Sequence, residues 1–135
     1  MTLTKTHFKL LNPDTMPKAR GYSQAVQINT GKLVYVAGQV ALDEAGQLVG
    51  PGDFRAQTQQ VFENLKAAVE AAGGDFSDVI KLNYYLVDMS NLPLMREVRD
   101  RFIDTEHPPA STAVQVSKLF RDEFLIEVEA IAVVA

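Results

Sequence analysis

Two carboxylates stand two residues apart near the end of the chain, Glu127 and Glu129 in FLIEVEAIAVV. In an extended strand that spacing puts both on one sheet face, about 7 Å apart, with Phe124, Ile126, Val128 and Ala130 on the other. Paired carboxylates so placed can activate a water or hold an amine, and a solvated or salt-bridged face has the same pattern. Arg20 and Tyr22 in ARGYSQ repeat the two-residue step after a proline-containing loop and could present a cation and a phenol together. A surface arginine beside a packed tyrosine is the plainer account. Gly38 ends the apolar run KLVYVAG, where a missing side chain allows close approach of a ligand or simply a turn. His107 is a candidate base at the end of a helical stretch. The stretch HPPASTAVQV then poses the sharpest question, because Ser111 is the first polar side chain to follow the rigid Pro108-Pro109 turn into a strand.

Short strands and two helices must position these groups. Phe8 to Leu10, Ala25 to Asn29 and Leu33 to Gly38 are rich in Val, Tyr and Leu and broken by glycine, which predicts three strands, with NTGK as the hairpin between the last two. Asp53 is the candidate cap of a first helix. Its apolar residues Phe54, Val61, Leu65, Ala68 and Ala72 recur at helical spacing, and Gly73-Gly74 stop it. In VIKLNYYLVD, Ile80, Leu82, Tyr84 and Leu86 alternate with polar or aromatic neighbours, as in a half-buried strand. A second helix is expected from about Asn91 to Asp104, capped by Ser90, with Leu92, Met95, Val98 and Phe102 on one side. Two strands close the chain, roughly Thr112 to Ser117 and Phe124 to Val133. The order β-β-β-α-β-α-β-β over residues 1–135, without linker or repeat, predicts one α+β domain: a mixed sheet with both helices on one face. Six strands under two helices leave one face bare, with apolar positions such as Val34, Val36, Val114 and Val116 to cover. Self-association in a closed ring is an economical cover.

Composition narrows the chemistry. With 47% apolar and 22% charged residues the chain is that of a globular domain. The absence of cysteine excludes disulfides, thiolate nucleophiles and zinc ribbons. Two histidines, His7 and His107, cannot supply a multi-histidine metal site within one chain, so no metal is expected. A net charge of −4 lacks the basic footprint of a nucleic-acid binder. No apolar run approaches membrane-spanning length and MTLTKTHFKLLNP has no signal-peptide core. These points predict a cytoplasmic protein without nucleic-acid or membrane partners.

Six stretches together resemble the Rid (reactive-intermediate deaminase) or YjgF-like family: GYSQAV, LVYVAGQVALD, QTQQVFENLKAAVEAAGG, DVIKLNYYLVDM and, most specifically, HPPASTAVQVSKLF with IEVEAIAV. The resemblance spans nearly the whole chain. It implies a chorismate-mutase-like fold and a homotrimer whose sheets line a central barrel, with clefts for small metabolites between subunits. It also implies hydrolysis of enamines and imines such as 2-aminoacrylate to 2-keto acids and ammonia, without cofactor or metal. By the same resemblance Glu127 is the catalytic carboxylate that positions water, Tyr22 walls the pocket, and Gly38 lies near the ligand. The family's carboxylate-binding arginine falls at Ser111, so a hydroxyl stands where a bidentate cation is expected. Lys118, seven residues on, points to the opposite face of an unbroken strand, which leaves Arg20 as the candidate replacement. Two readings stay open: a deaminase with altered substrate choice and weak or no 2-aminoacrylate activity, and a non-catalytic trimeric binder of small metabolites in the same clefts.

Overall fold

A computed structural model describes residues 5–135, so residues 1–4 of the N-terminal stretch lie outside the described residues. Six strands and two helices follow in the expected order: β1 (Phe8–Leu11), β2 (Ala25–Ile28), β3 (Lys32–Gln39), α1 (Phe54–Ala71), β4 (Val79–Leu86), α2 (Leu92–Arg99), β5 (Ala110–Gln115) and β6 (Ile126–Val134). Both helices pack on one face of a mixed sheet with strand order β3-β6-β4-β5. β6 runs antiparallel to β3 and β4, whereas β5 lies parallel to β4. A parallel neighbour requires a crossover, and α2 supplies it.

The first helix forms for local reasons. The Asp53 carboxylate accepts the Ala56 amide at 3.1 Å, satisfying an otherwise orphaned N–H. Gly73, at φ +87°, ends the helix in a conformation that side chains resist. Between these ends Phe54, Val61, Phe62, Leu65 and Val69 are buried in a stripe against Leu82, Tyr84, Val128 and Ala130 of the sheet. Ala72, expected in that stripe, is instead the exposed C-cap. Burial of each large stripe residue contributes roughly 1.5–3 kcal/mol.

Five expectations need correction. The six strands do not form one sheet: β1 and β2 pair with each other, Phe8 opposite Ile28 and Leu11 opposite Ala25. The NTGK segment does not fold β2 back on β3, because the amides of Asn29 and Thr30 both donate to the His7 carbonyl. Gly31, at φ +108°, then redirects the chain so close to β6 that a Cβ would lie 2.8 Å from the Val134 oxygen. The second helix ends at Arg99 rather than Asp104, since the Arg99 carbonyl collects the amides of Phe102 and Ile103 and the helix breaks into turns. Ser90 does not cap it; the Ser90 amide donates to Asp88, which caps the turn ahead. Finally, Val34 and Val36 face the helices and the core, not the bare side. The alternate residues Leu33 and Tyr35 are the exposed ones, at 51% and 73%, together with Val114.

Candidate functional site

On β6, Glu127 lies opposite Tyr85 and Glu129 opposite Asn83, all on the bare face of the sheet. The two carboxylates have different fates. Glu129 accepts a short hydrogen bond from the Tyr85 hydroxyl. Glu127 has no such partner among the described residues: loss of solvent, and then repulsion from Glu129, raise its pKa above the ordinary glutamate value. Its carboxylate lies so near β3 that any Cβ at Gly38 would overlap it. The strand-end glycine is thus a requirement of the carboxylate beside it. A carboxylate with raised proton affinity, against an open backbone, can take a proton from water and return it.

Arg20, Tyr22 and Ser111 meet elsewhere. They line one cavity of about 240 Å³ with Tyr84 from β4 and Arg96 and Arg99 from α2. A clasp of hydrogen bonds joins the loop before β2 to the entry of β5. The Ser23 amide donates to the Pro109 carbonyl at 3.0 Å, and its hydroxyl donates to the Pro108 carbonyl at 2.6 Å. Prolines suit this role because their missing N–H groups leave only carbonyls to be answered. The clasp sets Tyr22 beside Ser111.

Register separates the two groups within one chain. Ser111 pairs with Leu82, whose side chain lies among the helices, while Glu127 pairs with Tyr85 on the other side. β5 ends at Gln115, so strand alternation does not reach Lys118. His107 lies outside both groups; its Nδ1 is 3.0 Å from an oxygen of Asp104. Asp104, Glu106 and His107 bring potential metal-ligand atoms within 4.8 Å of one another in a largely exposed turn. One Asp104 oxygen there already accepts the Glu106 amide.

Sequence reasoning missed Arg96, Arg99 and Tyr84. The arginines lie three apart in the last turn of α2, where basic residues complement the helix dipole, and Tyr84 looks like any core residue of an alternating strand. Only packing of α2 against β5 brings them to Ser111.

The domain thus combines two helices on a mixed sheet, a carboxylate backed by a glycine, and a polar cleft near the Pro-Pro turn. The endoribonuclease L-PSP family model matches residues 13–134. The RutC family protein PH0854 of Pyrococcus horikoshii is 46% identical over 121 residues, 88% of this chain and 92% of that one. A 2-iminobutanoate/2-iminopropanoate deaminase of Mus musculus is 39% identical over 127 residues, covering 93% and 90%. The crystal structure of the Rid family protein YyfB of Yersinia pestis superposes with a TM-score of 0.87 at 37% identity, covering 96% and 100%. The chain therefore belongs to the Rid/YjgF-like family, the endoribonuclease L-PSP family of the matching model.

Proposed function

We propose that the protein is a hydrolytic deaminase of enamines and imines whose substrate choice differs from that of arginine-bearing members. Water adds to the C=N carbon, the tetrahedral carbinolamine collapses, and a carbonyl product and ammonia leave. Glu127 orients that water and carries its proton to the departing nitrogen. Gly38 leaves room for the Glu127 carboxylate, and Tyr22, Ser111 and Arg20 hold the rest of the molecule. The observation that carries this reading is the raised proton affinity of Glu127, whose carboxylate is seated against the Gly38 backbone. Similarity to relatives named as 2-iminobutanoate/2-iminopropanoate deaminases supports it. Because Ser111 and Glu127 occupy opposite sheet faces, the complete cleft forms between copies, in a cytoplasmic homotrimer that packs its bare faces into a barrel.

The test generates imines in situ with an amino-acid oxidase and follows keto acid and ammonia release with and without the protein. Acceleration that disappears in Glu127→Gln supports the deaminase, with 2-aminoacrylate expected among the poorest substrates. Saturable binding of keto acids without acceleration of any imine would make the protein a metabolite binder instead.

A further inference from the structure

The cavity beneath β5 holds more positive charge than its surroundings answer. Arg96 and Arg99 project from one side of α2, and Arg20 enters from the loop. Of these three arginines Arg99 alone is ion-paired among the described residues, its Nε and Nη2 on one oxygen of Asp100 at 3.0 and 2.9 Å. That pair is lopsided: the Arg99 side chain is 6% exposed and that of Asp100 44%. A buried guanidinium is therefore balanced by a carboxylate largely in water, which leaves much of its desolvation cost uncompensated. Tyr84 lines the same cavity, is 2% exposed, and its hydroxyl donates to no acceptor among the described residues, the Arg99 guanidinium beside it being itself a donor. Burial pushes that hydroxyl up to about 12, so it remains a neutral donor. Gly21, at φ +79°, lets the loop close over the cavity; a Cβ there would come within 3.0 Å of Arg99 Nη2. The helix dipole explains basic residues in this last turn. It does not explain sinking one of them beside an orphaned hydroxyl, an arrangement that calls for an acceptor.

We infer that this cavity receives the distal carboxylate of a dicarboxylic imino acid, gripped by Arg96, Arg99 and the Tyr84 hydroxyl, while Arg20 takes the carboxylate next to the reacting carbon. The assignment rests on the substrate cleft proposed above and names its substrate class. Planar guanidinium groups match carboxylate geometry. Ser111 has a direct part: its small side chain keeps the cavity open, where an arginine would fill it.

Calorimetric titration with 2-oxoglutarate and 2-oxobutanoate, the keto products of a diacid and a monoacid imine, tests the assignment without requiring turnover. The expected result is at least about tenfold tighter binding of 2-oxoglutarate. That preference should collapse toward one in Arg96→Gln and shrink severalfold in Tyr84→Phe, and Arg55→Gln, at a surface ion pair between α1 and Glu97 that does not line the cavity, should retain it. Arg99→Lys, which keeps the buried charge but loses the fork, should also lose it if circular dichroism shows the fold intact. Equal affinities, no binding of either acid, or a preference that survives Arg96→Gln would overturn the assignment. Imines generated from glutamate and from 2-aminobutyrate separate the two claims. Diacid preference without hydrolysis of either removes the deaminase and keeps the cavity; hydrolysis of both with no preference does the reverse.

Discussion

Glu127 is held in its protonated form more readily in the folded chain than in the unfolded one. A carboxyl whose pKa rises on folding contributes stability that is complete below the ordinary value of 4.5 and is lost as pH rises through the raised value. Glu127→Gln, a permanent stand-in for the protonated acid, should therefore melt higher than wild type at neutral pH. The gap should close below pH 4.5, read as Tm against pH. The same substitution should cost roughly 100-fold or more in imine hydrolysis, the usual scale of a lost acid-base group. Stability and activity would then move in opposite directions at one residue. Ser111 behaves differently. An arginine there would add a fourth guanidinium to a cavity already lined by Arg20, Arg96 and Arg99. Ser111→Arg should destabilise the fold by about 1–3 kcal/mol. Adding Arg96→Gln should recover part of that loss, measurable as a coupling term in a double-mutant cycle.

At the scale of elements, Gln57 ties α1 to loops on both sides. It is fully buried, donates to the carbonyls of Gly50 at 3.1 Å and Glu123 at 2.9 Å, and accepts the Leu125 amide at 2.9 Å. Gln57→Leu fills the same space but leaves those backbone groups unanswered, at an expected cost of about 2–4 kcal/mol in urea unfolding. Helical spacing puts Gln57 on the buried side with Phe54 and Val61, but nothing local reveals its hydrogen bonds, for its partners lie up to 68 residues away. What the sequence makes legible is what neighbours decide: the Asp53 cap, the Gly73 stop, and the alternation of Leu82, Tyr84 and Leu86. The β2–β3 hairpin misleads because NTGK carries a genuine turn signal. The contact that overrides it, both amides on the His7 carbonyl, is not local. The face of β3 is ambiguous for a simpler reason: in LVYV both alternating sets are apolar, so period two selects neither. Glu127 and Gly38 are likewise readable as candidates from their strands, whereas the arginine cavity exists only once α2 lies on β5.

For the whole molecule, the bare face decides assembly. Leu33, Tyr35 and Val114 are exposed there beside Ile131, and association would remove them from water. Light scattering should return about three times the chain mass, and Val114→Asp should shift that value toward the monomer, since an unpaired charge buried in an interface costs several kcal/mol. A stable wild-type monomer at micromolar concentration would remove the proposed inter-subunit cleft. The strand order carries a further consequence, for synthesis. The central position next to both β3 and β4 is taken by β6, the last strand to be made. As the chain emerges from a ribosome, β3 and β4 must wait side by side without the partner that lies between them. A nascent chain halted before Ile126 would hold α1 with only the β4–β5 pair to close on, and should be protease-sensitive until residues through Val134 clear the exit tunnel.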